Sequence, residues 1–150
     1  MGMEIEHKFL VKNNSYREKA YDMSEIKQGF LSRNPERTVR VRVRDGKGYL
    51  TIKGKGTGAV HPEFEYEVPL KDALQLMDLC EPPVIEKTRY LVMHDCNRWE
   101  IDEFHGALEG LIIAELEVPD EDHVFKLPAF VGKEVTGDPR YYNSQMGLMT

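Results

Sequence analysis

Polar and apolar residues alternate along much of this chain. Residues 3–11 read Met-Glu-Ile-Glu-His-Lys-Phe-Leu-Val, with Glu4, Glu6 and Lys8 on one parity and Ile5, Phe9 and Val11 on the other; His7 is the exception on the apolar parity. A period of two puts successive side chains on opposite faces of a strand. The pattern returns in Thr38-Val39-Arg40-Val41-Arg42-Val43-Arg44, in Leu50-Thr51-Ile52-Lys53 and in Glu63-Phe64-Glu65-Tyr66-Glu67-Val68. It returns again in Glu86-Lys87-Thr88-Arg89-Tyr90, in Arg98-Trp99-Glu100-Ile101-Asp102 and in Ala114-Glu115-Leu116-Glu117-Val118. The polar faces sort by sign: Arg40 with Arg42 and Lys87 with Arg89 are bases, whereas Glu63, Glu65 and Glu67, and Glu115 with Glu117, are acids.

The rest of the chain connects and covers these strands. Asn13-Asn14-Ser15 offers caps for a short helix over 16–20, and 26–31 reads as a strand with Gln28 on its polar face. Asp45-Gly46 suits the positive-φ positions of a hairpin turn. Residues 54–58 are glycine-rich without the spacing of a phosphate-binding loop, and read as a flexible connection. Ala73, Leu74, Leu76, Met77 and Leu79 recur at helical spacing, predicting an amphipathic helix over 69–80 that Pro82-Pro83 ends. Strands follow over 84–93, 97–102 and 111–118. Asp120-Glu121-Asp122 predicts a helix running to about 127, acidic at its N-terminus, and 141–148 predicts a last short helix.

Composition narrows the partners. The 150 residues suit one domain, 1–150, and no repeat or linker divides them. The net charge of −6 disfavours a nucleic-acid backbone. Bases gathered on particular strands suit a small anion instead. No apolar run approaches the roughly 20 residues needed to cross a bilayer, and no secretory leader opens the chain. Met1-Gly2 reads as a remnant ahead of a start at Met3. Cys80 and Cys96 are too few for a disulfide framework. The expectation is a cytoplasmic protein with reduced thiols, a monomer or homodimer without nucleic-acid or membrane partners.

If the charged faces converge, they form a cation cluster beside a carboxylate cluster. Arg and Lys bind phosphate oxygens, and clustered carboxylates bind hard divalent cations. A metal–polyphosphate complex needs both. Lys8, Arg40, Arg42, Lys53, Lys87 and Arg89 are the candidate phosphate binders; Glu4, Glu6, Glu115 and Glu117 are the candidate metal ligands. Glu63, Arg44 and Lys55 share the site parity but lie at strand ends, outside the expected site. His61, His94, His105 and His123 show no partner spacing and read as surface or loop residues. Parity alone fits either a sandwich with its charges in water or a barrel with a charged lumen.

Glu4-x-Glu6-x-Lys8 resembles the ExExK signature of the CYTH superfamily, the triphosphate tunnel metalloenzymes. Arg40-x-Arg42, Thr51-Ile52-Lys53, Glu65-x-Glu67, Glu86-Lys87-Thr88-Arg89-Tyr90, Asp102 and Glu115-x-Glu117 follow in that family's order, and residues 135–143 resemble the tail of its short bacterial members. His7 departs from the Arg or Lys common there, on the parity opposite to the signature. The resemblance implies an α+β, mainly antiparallel fold: a closed β-barrel of about eight strands with a charged lumen and helices packed outside. It assigns one or two Mg²⁺ or Mn²⁺ ions to the glutamate pairs. It adds Asp102 as a further metal ligand and Glu65 and Glu67 as acids that orient water, with Lys53 or Lys87 aiding the leaving oxygen. It implies metal-dependent hydrolysis of inorganic triphosphate to pyrophosphate and phosphate. Its alternatives are a class IV adenylate cyclase, a thiamine triphosphatase or a non-catalytic polyphosphate-binding module. Bases crowded in an unscreened lumen imply further that Arg42→Met and Lys87→Met leave the empty protein at least as stable.

Overall fold

A computed structural model describes residues 3–146. The chain forms β1 (Met3–Val11), α1 (Tyr16–Lys19), β2 (Asp22–Ser32), β3 (Arg37–Arg44), β4 (Lys47–Gly54), β5 (Val60–Val68), α2 (Leu70–Asp78), β6 (Glu81–His94), β7 (Asn97–Phe104), β8 (Ile112–Glu117) and β9 (Val131–Glu134). Neighbours run antiparallel in the order β5-β4-β3-β2-β6-β7-β8-β1, and β1 pairs back onto β5 through Glu4 and His61. Eight strands therefore close a barrel, and β9 adds to β1 beyond the stretch that β5 occupies. Closure leaves none of the eight with a free edge.

The alternation fixes what faces where. Phe9, Trp99, Ile101, Ala114, Leu116 and Val118 all turn outward and are buried with Val92 under Tyr16 of α1, Phe130 and Val131. The opposite flank is covered by α2, whose Ala73 and Met77 pack on Val41. Turn chemistry matches its sequence at the β3–β4 hairpin, where Asp45 (φ 53°) and Gly46 (φ 74°) both take left-handed backbone. Gly56 is obligatory, because a Cβ there would lie 1.6 Å from the Val60 carbonyl oxygen.

Among the described residues two expected helices do not form. Residues 120–127 form turns and extended chain: Asp120 Oδ1 accepts from the Asp122 backbone N–H at 3.0 Å. Phe125 is drawn onto Phe9 and Trp99, while Val124 stays 88 % exposed. A helix this short cannot offset its nucleation cost without a face to bury, and one aromatic anchor is better served by extended chain. In the tail, a single 3₁₀ turn at Pro139–Tyr141 precedes further turns to 146; positions 147 and 148 of the expected helix lie outside the described residues, as does the proposed remnant at 1–2. Strand β9 carries too little alternation to stand out in the sequence; Phe9 and Val11 of β1 recruit it.

Candidate active site

One cavity of about 330 Å³ runs inside the barrel, and the charged parity of every barrel strand but β2 lines it, with β9 lying outside. Of the expected residues, Glu4, Glu6, Lys8, Arg40, Arg42, Lys53, Glu65, Lys87, Arg89, Glu115 and Glu117 all reach it. Glu67 does not line it: opposite Tyr49 near the end of β5, it is exposed. Asp102 sits behind the wall, 1 % exposed.

On β6, β7 and β8 the charges neutralise one another. Arg89 donates from Nε and Nη2 to the two oxygens of Asp102, at 2.8 and 2.9 Å, a bidentate fork. Lys87 Nζ lies 2.7 Å from Asp102 Oδ2, with both side chains 1 % exposed. Arg89 also approaches Glu100 at 3.4 Å and Glu115 at 3.6 Å. Burial opposes ionisation of Asp102, but Arg89 and then Lys87 outweigh it and hold the carboxyl far below its usual range. With Asp102 committed to that fork, burial dominates at Lys87 and pushes its ammonium down to about 7, against the pull of Asp102 and helped by Arg89 and Arg42. Lys87 is thus a paired base, which revises the expectation that its loss leaves the empty protein undisturbed.

Across the lumen the balance differs. Arg42 donates from Nε and Nη2 to Gln28 Oε1, at 2.9 and 2.7 Å. Among the described residues no carboxylate lies within 4.0 Å of it. Burial, then Arg40 and Arg89, press its pKa well below the usual guanidinium range. Arg40 meets Thr51 Oγ1 at 3.0 Å and Glu65 at 3.4 Å, and its Nε is buried without a partner. Arg42 is thus a cation placed for an anion that the protein does not itself supply, and Arg40 beside it keeps an unspent Nε.

The acids gather opposite. Glu6, Glu100 and Glu115 each present an oxygen within 4.8 Å of the others. Burial, then Glu115 and Glu4, drive the Glu6 carboxyl well above its usual range. Burial likewise raises Glu4 and Glu117. Glu115 is buried too, but Lys8 at 3.4 Å leads the charges that hold it down, to about 2. Lys53 is half-buried, and although desolvation opposes its charge, Glu6 and Glu4, the latter 2.6 Å away, keep it firmly protonated. Carboxylates crowded so that one resists ionising fit a hard divalent cation, which would relieve the repulsion.

Other lining residues escaped the sequence reading. Glu63 lies 3.8 Å from Lys53, and Arg44 lines the wall, although both sit near strand ends. Glu100 shares parity with Asp102 and was findable by that signal. His61 lines the mouth beside Gly54, whereas Lys55 stays outside. His7 turns away from the lumen, onto Glu134 at 2.8 Å and the Phe125 ring.

At one end the inward parity becomes apolar. Leu10, Phe30, Ile85, Phe104 and Ile113 continue the faces of Lys8, Gln28, Lys87, Asp102 and Glu115, and pack with Tyr141 and Met146 of the tail. Lys8 Nζ donates to the Tyr141 carbonyl at 2.9 Å, and Arg33 Nη1 to the Ser144 carbonyl at 2.7 Å. Tyr142, Asn143 and Ser144 then wall the cavity, so the tail closes this end. Nothing in the sequence of the tail announces that task.

Comparison with known proteins agrees with this geometry. The family model for the CYTH domain matches residues 2–142. An inorganic triphosphatase of Acetivibrio thermocellus is 50 % identical over 147 residues, covering 97 % of this chain and 94 % of that protein. One of Nitrosomonas europaea is 33 % identical over 150 residues, covering 97 % of each. A crystal structure of an inorganic triphosphatase superposes with a TM-score of 0.65 at 30 % identity, over 94 % of both chains.

Proposed function

This chain belongs to the CYTH domain family, and on that premise we propose that it hydrolyses inorganic triphosphate to pyrophosphate and orthophosphate inside its barrel. One observation carries the reading: a single cavity holds both an uncompensated buried arginine, Arg42, and three carboxylates with oxygens within 4.8 Å of one another. The first feature takes an anion, the second a divalent cation, and a metal–triphosphate is both.

Lys8, Arg40, Arg42, Lys53, Lys87 and Arg89 bind the phosphates. Glu4, Glu6, Glu115 and Glu117, joined by Glu100, hold Mg²⁺ or Mn²⁺. When bound, that ion offsets charge on the phosphate oxygens and polarises the phosphorus. Asp102, expected as a ligand, instead fixes Arg89 and Lys87, since both its oxygens are taken by them. Glu65, which accepts from Thr51 at 3.0 Å, orients the attacking water and receives its proton; exposed Glu67 is left a lesser role.

Water adds to the terminal phosphorus in line as the bridging P–O bond breaks. The two lysines divide the remaining work. Lys53 stays charged beside Glu6 and Glu4, so it neutralises. Lys87, brought to about 7, can donate a proton to the departing pyrophosphate oxygen near neutral pH.

Residues 1–150 read as one such domain, a cytoplasmic monomer or homodimer. Among the described residues no helix is long and apolar enough to cross a membrane. The test is a product assay on tripolyphosphate, ATP and thiamine triphosphate with Mg²⁺ and with Mn²⁺. Fastest turnover of tripolyphosphate to pyrophosphate and orthophosphate is expected; cyclic AMP as the dominant product would overturn the reading.

A further inference from the structure

The tail does more than close the barrel. Asn143 Oδ1 accepts from Lys87 Nζ at 2.8 Å and from Gln28 Nε2 at 2.8 Å. Gln28, 0 % exposed, accepts through Oε1 both bonds from Arg42. One carbonyl oxygen on the tail thus joins a base on β6 to a base on β3. We infer that Asn143 is a positioning residue that clamps Lys87 and, through Gln28, Arg42, so that both cations meet the same phosphoryl group. This rests on the triphosphatase reading.

Donor and acceptor counting supports the clamp. With Gln28 Oε1 committed to Arg42, its buried amide N–H₂ needs an acceptor. Turning the Asn143 amide over would point N–H₂ at both an ammonium and another N–H₂, so this orientation is fixed. Lys87 has three donors; Asp102 and Asn143 take two, and the side chain lines the cavity with one to spare. Arg42 spends Nε and one direction of Nη2 on Gln28, leaving its other donors for a ligand. The tail is also held on both sides of Asn143 independently of these bonds. Tyr141 accepts from Lys8, Ser144 accepts from Arg33, and Gln145 Nε2 donates to the Arg33 carbonyl at 2.8 Å.

The test compares Asn143→Ala with Gln145→Ala, which loosens the same tail without touching either cation. With tripolyphosphate and saturating Mg²⁺, Asn143→Ala is expected to lower kcat by about tenfold or more, as misplacement of a binding group does, while Gln145→Ala stays within about twofold of the parent. Gln28→Met should lower kcat similarly. The double variant Gln28→Met with Asn143→Ala should lose little beyond the worse single change, because the pair acts as a unit. Should Asn143→Ala fail to fold, Asn143→Ser, whose hydroxyl stops short of Lys87, carries the same expectation. The clamp is overturned if kcat survives the loss of Asn143, if Gln145→Ala does equal damage, or if the Gln28 and Asn143 losses simply multiply. An inactive parent would sink the triphosphatase reading instead, a distinct result.

Discussion

Two walls of one lumen treat their bases in opposite ways. On β6 and β7, Lys87 and Arg89 share Asp102 in a buried network. On β2 and β3, Arg42 has only the neutral oxygen of Gln28. Both walls read alike in sequence, as bases spaced two apart. The difference separates rigidity from readiness. A buried base with a carboxylate is held in place, and its charge is largely spent on that partner. A buried base on an amide oxygen keeps its charge for a ligand, at a cost to the empty protein.

The largest expected effect tests the paired wall. Asp102→Asn leaves Lys87 and Arg89 facing each other without their acid, and should cost about 3–5 kcal/mol in urea unfolding, the scale of breaking a buried pair from one side. Tripolyphosphate should restore part of that loss by supplying the missing charge. A variant as stable as the parent would show that the wall does not depend on Asp102.

The next addresses the unpaired wall. Arg42→Met should lower hydrolysis by about 10²–10³-fold, as removal of one preorganised donor does. Without ligand its stability should stay within about 1 kcal/mol of the parent, the relief of a buried charge being set against the orphaned Gln28 Oε1. A clear loss of stability in the empty variant would mean that Arg42 is a structural base after all.

Proton and metal should compete at Glu6. Its folded pKa is raised, so it favours the folded state below the unfolded value of about 4.5 and loses that contribution as pH rises through the raised value. Glu115, held down to about 2, acts with the opposite sign, its contribution fading as pH falls from about 4.5 toward 2. Bound at Glu6, Mg²⁺ would relieve that penalty, so the rise in Tm that it produces should be larger at pH 8 than at pH 5. Glu6→Gln should flatten that difference; a Mg²⁺ effect independent of pH in the parent would exclude Glu6 from the metal's shell.

The smallest effect concerns β5. Glu67→Gln should change activity by no more than about twofold, as expected of an exposed substitution. Glu63→Gln, beside Lys53 in the lumen, should cost more. The reverse order would mean that the outer end of β5 turns inward when substrate binds.

Much of this is legible in the chain itself. Alternation is a covalent property of an extended chain, so the faces of Glu4, Glu6 and Lys8, of Arg40 and Arg42, and of Glu115 and Glu117 were fixed by position alone. With the resemblance in motif order, that sufficed for the barrel and its charged interior. Length along the strand was less legible. Glu63 and Glu67 share a face, yet only the first lines the cavity, because strand stagger decides which part of a face sits at the lumen.

Which base meets which acid was decided only by tertiary structure. Lys87 and Asp102 are 2.7 Å apart, Arg42 has its nearest acceptor in Gln28, and Glu100 completes a carboxylate trio with Glu6 and Glu115. These are contacts across strands, set by register, and register is absent from any single stretch of sequence. The tail is the extreme case. Residues 141–148 read as a short helix, yet the described part follows no single period, since Tyr141 and Met146 serve the apolar end while Asn143 between them serves Lys87 and Gln28. A segment shaped by what it plugs takes its conformation from the hole, and the hole exists only once the barrel has closed.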